Sequence, residues 1–258
     1  MSCCIEIPPN VNRDCIQSLQ DLVSLVRNSI ANQSRRRHAD IELEIRLGSI
    51  ADNGSFCTDI GETSWMRIMS AMDASSDWTQ KYDMLEIIDF FYTYEIDGVT
   101  ENIRTSRYVK DGKIACDHQI KKSEKKCTVG ICGTNLLNAF RVAFNTETSV
   151  DVGTLPEITS TTCVRIKHRK SYQWKNWRYD LTKIWSAPTY AGATRLRDDV
   201  KNSHTKYEIE MELVQSEQYF SRASHTDEYI AVSILLKVIG LLPKHIEIGH
   251  RDDEKKNL

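Results

Sequence analysis

The chain has 258 residues, with 34 Lys and Arg against 36 Asp and Glu and a formal net charge of −2. That length suits one large domain or two small ones with a substantial core. The near-neutral balance excludes a general polyanion-binding protein, so any basic function must be local. No run of eighteen apolar residues suggests a membrane span. Met1-Ser2-Cys3-Cys4-Ile5-Glu6-Ile7 lacks the basic and apolar regions of a secretory signal. The eight cysteines contain no Cys-x-x-Cys pair, and no histidine sits near Cys127 and Cys132 at zinc-ligand spacing. Free thiols in cytosol or nucleus are expected rather than a disulfide framework.

Taken in chain order, residues 1–10 read as a lead-in closed by Pro8-Pro9-Asn10. Ile16, Leu19, Leu22, Val23, Val26 and Ile30 recur at helical spacing and predict a helix over 11–31, packed outside a sheet. Ser34-Arg35-Arg36-Arg37-His38 reads as a solvated connector, with a nuclear-targeting or phosphate patch as the alternative. Ile41-Glu42-Leu43-Glu44-Ile45-Arg46-Leu47 alternates strictly, apolar then charged, and Gly48 ends it. A strand sends successive side chains to opposite faces, so Glu42, Glu44 and Arg46 share one face. Glu62 to Met69 reads as a short helix capped by Thr63 or Ser64, with Trp65, Ile68, Met69 and Met72 on its buried side.

Residues 81–108 predict a hairpin turning at Asp97-Gly98. Arg104 and Ser106 share a face of its return strand. The next strand carries Gln119 to Lys126, whose four lysines could form a solvated edge. A short bridge, 127–135, leads to a strand over 136–147 with Arg141, Asn145 and Glu147 on one face. Cys163 to Tyr172 alternates Arg165, Lys167 and Arg169; like charges in such a row are costly unless an anion lies between them. Trp177 to Ile184 lines Arg178, Asp180 and Thr182 on one face, and a long, mobile loop is expected over 186–204. Tyr207-Glu208-Ile209-Glu210-Met211-Glu212-Leu213 repeats the acidic alternation. A helix over 226–242 stopped by Pro243, and a charged tail, complete the chain.

The strands predict a single α+β domain: helix 11–31, a closed antiparallel eight-stranded β-barrel over about 40–215, and helix 226–242. A barrel of that size has room inside for side chains or one small ligand. If the two acidic strands meet, five carboxylates converge and their repulsion calls for a cation. Arg104, Lys121 or Lys122, Arg165, Lys167 and Arg169 would face them across the barrel. A divalent cation and a polyphosphate held together are the requirements of metal-assisted phosphoanhydride hydrolysis.

Glu42-x-Glu44-x-Arg46, Arg165-x-Lys167-x-Arg169 and Glu208-x-Glu210-x-Glu212, in that order, resemble the motifs of the fungal, protozoan and viral metal-dependent RNA 5′-triphosphatases. These enzymes belong to the triphosphate tunnel metalloenzymes. Asp89, Arg104, Glu147 and the Asp180-x-Thr182 pair fall in the expected order between the motifs, and the resemblance spans roughly 40–240. Arg46 favours the capping branch over the thiamine-triphosphatase and cyclase branch, which usually has lysine there. The resemblance implies that Glu42, Glu44, Glu210 and Glu212 hold one manganese or magnesium ion, Glu210 and Glu208 acting directly or through water. It implies Arg104, Lys121 or Lys122, Arg165, Lys167 and Arg169 as phosphate contacts. Glu147 is implied to orient or deprotonate the attacking water, and Arg46, Asp89, Asp180 and Thr182 to support. The substrate implied is the 5′-triphosphate end of nascent RNA, with nucleotide hydrolysis in manganese. A separate guanylyltransferase partner and a nuclear site of action are implied, or a cytoplasmic one for a viral enzyme; neither DNA nor membrane is expected. Two other readings remain: a tunnel-fold tripolyphosphatase or nucleoside or thiamine triphosphatase, and a non-catalytic RNA- or phosphate-binding barrel.

Overall fold

Strict alternation in the two acidic segments produces two strands that lie side by side, although they come from opposite ends of the chain. The computed structural model describes residues 13–33, 40–96, 99–110, 112–130, 139–151, 161–199 and 204–241. Its elements are α1 (Arg13–Gln33), β1 (Asp40–Ile50), β2 (Phe56–Cys57), α2 (Gly61–Ala74), β3 (Gln80–Lys81), β4 (Leu85–Ile96), β5 (Val99–Lys110) and β6 (Lys113–Gly130). They continue with β7 (Ala139–Ser149), β8 (Cys163–Trp174), β9 (Trp177–Ala187), α3 (Tyr190–Asp198), β10 (Lys206–Leu213), α4 (Ser216–Phe220) and α5 (Asp227–Leu241). The strands run in the order β10, β9, β8, β4, β5, β6, β7, β1, and β1 returns to pair with β10. The result is the predicted closed eight-stranded antiparallel barrel, with β2 and β3 as short additions on β1 and β8.

The hydrophobic core lies outside the barrel wall. Ile41, Leu43, Ile45 and Leu47 of β1, Phe140, Val142 and Phe144 of β7, and Ile209, Met211 and Leu213 of β10 point outward. They pack with Leu19, Leu22, Val23 and Val26 of α1 and Ile230, Ile234, Leu235 and Val238 of α5. Burying each such aliphatic side chain contributes about 1.5–3 kcal/mol, so the helices stabilise a wall whose inner face is polar. Arg27 fastens the two helices: its Nε donates to Asp227 Oδ1 at 2.7 Å. A smaller apolar cluster of Val164, Ile166, Trp185 and Ala193 sits under α3.

Four local expectations change. The segment 186–204 is not one long loop: Tyr190–Asp198 is helical, and the Thr189 hydroxyl caps it by accepting from the Gly192 N–H at 3.1 Å. Neither Thr63 nor Ser64 caps α2; Asp59 accepts the Gly61 N–H at 3.0 Å just upstream. Gly48 does not end β1. A Cβ there would lie 2.1 Å from the Cys57 carbonyl oxygen and 2.7 Å from the Phe56 ring, so glycine is what lets β2 cross so close. Cys127 to Gly130 belong to β6 rather than to a bridge. The Asp97-Gly98 turn, the arginine run 35–37, residues 1–10 and the tail 249–258 lie outside the described residues.

Candidate active site

Alternation along eight paired strands decides which side chains meet inside the barrel. Across the β1–β10 seam Glu44 faces Glu212 and Arg46 faces Glu210. Glu42 faces Asn145 on β7. Going round the other way, Glu208 faces Thr182, Glu210 faces Asp180 and Glu212 faces Arg178 on β9. Thr182 faces Arg169 on β8, Arg165 faces Asp89 on β4, and Asp89 faces Ser106 on β5. Arg104 faces Gln119 on β6, and Lys121 faces Glu147 on β7. One polar ring therefore gathers residues from every wall strand.

Inside that ring cations and carboxylates interleave. Lys121 bonds Glu42 and lies 2.8 Å from Glu44 and 3.4 Å from Glu147. Arg46 bonds Glu44 and reaches Glu210 at 2.7 Å. Arg104 bonds Gln119 and lies 3.4 Å from Glu147. Lys167 lies 2.5 Å from Asp89, whose other oxygen accepts from Ser106 at 2.7 Å. Arg169 spans Asp180 at 3.0 Å and Glu210 at 3.3 Å. Arg178 bonds Glu212 and lies 3.1 Å from Asp180. Glu208 accepts from Thr58 at 2.6 Å.

The carboxylates do not share this positive charge equally. Burial raises Glu42, and Glu44 and Glu147 add to the rise against Lys121. Burial pushes Glu212 up to about 7, with Glu42 and Asp180 reinforcing it, and Arg178 only partly opposes them. Glu210 behaves in the opposite way. Burial works against its charge, but Arg46, Arg169 and Lys167 overcome that cost and hold it far below the usual range. Asp89 is likewise lowered: Lys167 and Ser106 outweigh its burial. Burial depresses Lys167 despite Asp89, so its ammonium is still short of negative charge.

Most of the sequence-predicted residues come together here. Of the two candidate lysines, Lys121 faces the interior, while Lys122 turns to the outer face and pairs with exposed-side Glu101 at 2.6 Å. The two residues are adjacent on one strand and so must point opposite ways. Arg165 is on the inner face but stacks on the Phe91 ring at 4.8 Å, at the rim rather than in the ionic ring. The sequence reading passed over Arg178, Asn145, Gln119, Ser106 and Ser171 as site residues. Each lies two residues, or one strand partner, from a predicted one, so parity was the available signal. Asn145 donates to Glu42 at 3.0 Å, and Ser171 donates to Asp180 at 2.6 Å.

A cavity of about 880 Å³ enters the barrel among Asp89, Arg104, Lys167, Arg169, Arg178 and Asp180. Among the described residues no three acidic, histidine or cysteine side chains are drawn together as a metal cage. Lysine and arginine side chains stand between the carboxylates instead. Glu42 and Glu212 nevertheless carry the pKa signature of carboxylates short of a cation, and with Glu44 they form an all-oxygen donor set suited to a hard divalent ion. Arg104, Lys167 and Arg169 on the facing strands suit phosphate oxygens.

No curated protein matches the chain in sequence. Solved structures share the fold, among them two of one S. pombe protein. The S. pombe Pct1 RNA triphosphatase superposes with a TM-score of 0.62 at 16% identity, covering 87% of this chain and 94% of that one. The same S. pombe protein in complex with the Spt5 CTD gives a TM-score of 0.65 at 15% identity, covering 93% and 100%. At such identities the likeness speaks for the fold alone. The family described as "mRNA capping enzyme, beta chain" matches residues 54–231, more than half of the chain. The chain therefore belongs to this family of mRNA triphosphatases, hydrolases acting on the 5′-triphosphate end of RNA.

Proposed function

We propose that the barrel removes the γ-phosphate of 5′-triphosphate RNA with a divalent cation held by Glu42, Glu44 and Glu212, and with Glu210 in support. The observation that carries this reading is the direct pairing of Glu44 with Glu212 across the β1–β10 seam. It joins two Glu-x-Glu strands that stand far apart in the chain. The carboxylate-rich, all-oxygen donor set favours manganese or magnesium. When bound, such an ion supplies Lewis acidity toward a phosphoryl oxygen.

The chain's own residues do the rest. Lys167 and Arg169 take γ- and β-phosphate oxygens and neutralise the charge that develops as the bond breaks. Lys167 is suited to this because Asp89 leaves its buried charge only partly compensated. Arg104 and Lys121 bind phosphate from the other side, next to Glu147. Glu147 orients the attacking water and accepts its proton. The water oxygen bonds to the γ-phosphorus, the bond to the β–γ bridging oxygen breaks, and its electron pair stays on the diphosphate end of the RNA. Asp89, Asp180, Thr182 and Glu208 hold the basic side chains in place, and Arg46 holds Glu44 and Glu210. Glu210 supports the site through Arg46 and Arg169, because those cations already saturate it.

Free nucleotides in manganese would be hydrolysed by the same groups. A nuclear site of action, a separate guanylyltransferase and a protein partner comparable to the one in the S. pombe complex follow from the capping role. The test is phosphate release from triphosphate-ended RNA, tripolyphosphate and ATP in manganese. RNA should be turned over with the highest kcat/KM. Tripolyphosphate as the preferred substrate would move the protein to another branch of the fold.

A further inference from the structure

Among the described residues the two rims of the barrel carry different side chains. Because neighbouring strands are antiparallel, the ends of β1 and β4 and the starts of β7, β8 and β10 share one rim. Arg141 stands there, opposite Arg46 in the β1–β7 register, and its guanidinium lies 4.8 Å above the Phe56 ring. Arg165 stands there too, near the start of β8, 4.8 Å above the Phe91 ring. Arg46, Arg104, Lys121, Lys167, Arg169 and Arg178 each have a carboxylate within ion-pair distance. Among the described residues Arg141 and Arg165 have none, and each rests on a phenylalanine instead. Gly48 contributes by leaving room for the Phe56 ring over β1.

The other rim, where the cavity opens, is lined by Tyr82, Asp83, Tyr108, Lys110, Asp117 and Gln173. There Asp83, Lys110 and Asp117 stand together in the lining, and the Tyr108 hydroxyl donates to Asp117 at 2.8 Å. A strand of RNA carries one negative charge per nucleotide beside a flat base. A pair of guanidinium–phenyl stacks outside any direct ion pair, with Glu44 and Glu208 acting on Arg141 only from a distance, offers both a phosphate contact and a stacking surface, without reading sequence.

We infer that the RNA chain enters through the Arg141–Phe56 and Arg165–Phe91 rim, which binds the first nucleotides behind the triphosphate. This rests on the triphosphatase reading of the ionic ring and adds polarity to it: the γ-phosphate points from this rim toward the cavity. The rim also explains how one phosphate-binding ring can favour RNA over free polyphosphate, since tripolyphosphate is too short to reach it.

The experiment compares steady-state kinetics on a triphosphate-ended RNA decamer and on tripolyphosphate for wild type, Arg141→Ala, Phe56→Leu, Phe91→Leu and Lys110→Ala, with melting temperatures for each. Arg141→Ala should raise KM for RNA about tenfold and leave tripolyphosphate kinetics within about twofold. Anisotropy binding of the decamer across a salt series should show the log–log slope falling by about 0.7 for that variant. The leucine variants should move RNA KM in the same direction at near-native melting temperature. Lys110→Ala should change neither substrate. Equal losses on both substrates would place Arg141 in the shared phosphate site and overturn the inference, as would no loss on either. A selective RNA defect in Lys110→Ala would reverse the polarity. Wild type that ignores triphosphate RNA while hydrolysing tripolyphosphate would remove the underlying reading, and the inference with it. Wild type active on RNA with an insensitive rim would remove the inference alone.

Discussion

Buried charges differ in how many partners hold them, and this decides what each substitution does. Asp180 keeps Arg178 at 3.1 Å and Ser171 at 2.6 Å when Arg169 is removed, and Glu210 keeps Arg46 at 2.7 Å. Asp89, only 1% exposed, keeps the Ser106 hydrogen bond and only the more distant charge of Arg104 when Lys167 is removed. Both alanine variants should lose nearly all turnover, but Lys167→Ala should be destabilised by about 3–5 kcal/mol and Arg169→Ala by roughly 1–2 kcal/mol. Urea unfolding would measure the difference; equal losses would contradict the account of the ring. Asp89 also predicts a pH dependence. Its folded pKa lies below its ordinary value of 3.8, so its contribution is present above that value and is lost as pH falls through the folded one. Asp89→Asn should therefore trail wild type by about 3 kcal/mol at neutral pH. The gap should close as the pH drops below the ordinary carboxylate range. A gap that stays constant down to the acid limit would show that the charge of Asp89 is not what stabilises the fold.

At the scale of elements, close approach and alternation carry the design. Gly48→Ala would press a Cβ against the Cys57 carbonyl, so β2 must move and take Phe56 with it. A loss of about 1–3 kcal/mol is expected, with weakened RNA binding and intact tripolyphosphate turnover. Unchanged stability would mean that β2 packs against β1 more loosely than the structure has it. The acidic strands, the basic strand, α1 and α5 were legible in the sequence because their periods are regular. What was not legible depended on single residues. The start of α2 has Ile60 at its cap position and no side-chain cap, with Asp59 accepting the Gly61 N–H just upstream, rather than Thr63 or Ser64. The helix α3 is short, and its signal was one Thr189 ahead of a mixed-charge stretch. The choice between Lys121 and Lys122 needed the register, since composition cannot tell two adjacent lysines apart. Arg178 was visible by parity with Asp180, yet nothing in the sequence says that it meets Glu212, a contact made by β9–β10 pairing.

For the whole molecule, the core and the site lie on opposite faces of one wall. Helices on the outside hold the barrel closed, so the inside can concentrate carboxylates, Glu42, Glu44 and Glu212 among them, that a bound cation would stabilise. Burial, reinforced by neighbouring carboxylates, pushes Glu212 up to about 7 and raises Glu42. Manganese at about a hundredfold excess over its Kd should then add about 2.7 kcal/mol. Glu212→Gln should lose most of that gain while keeping its fold, and a melting curve with and without metal reads both. The matched family segment begins at residue 54, after the first acidic strand. Fold closure, not that match, places Glu42 and Glu44 beside Glu212.

Hydrolysis at the γ-phosphorus is assigned to the joined acidic strands. It is tested most directly with triphosphate-ended RNA labelled at either the γ- or the β-phosphate, incubated with manganese and with wild type, Glu44→Gln or Glu212→Gln. Wild type should release the γ label as inorganic phosphate and keep the β label on a diphosphate-ended RNA, and each variant should lose at least a hundredfold in rate. Release of the β label, or γ release that survives both substitutions, would contradict the account.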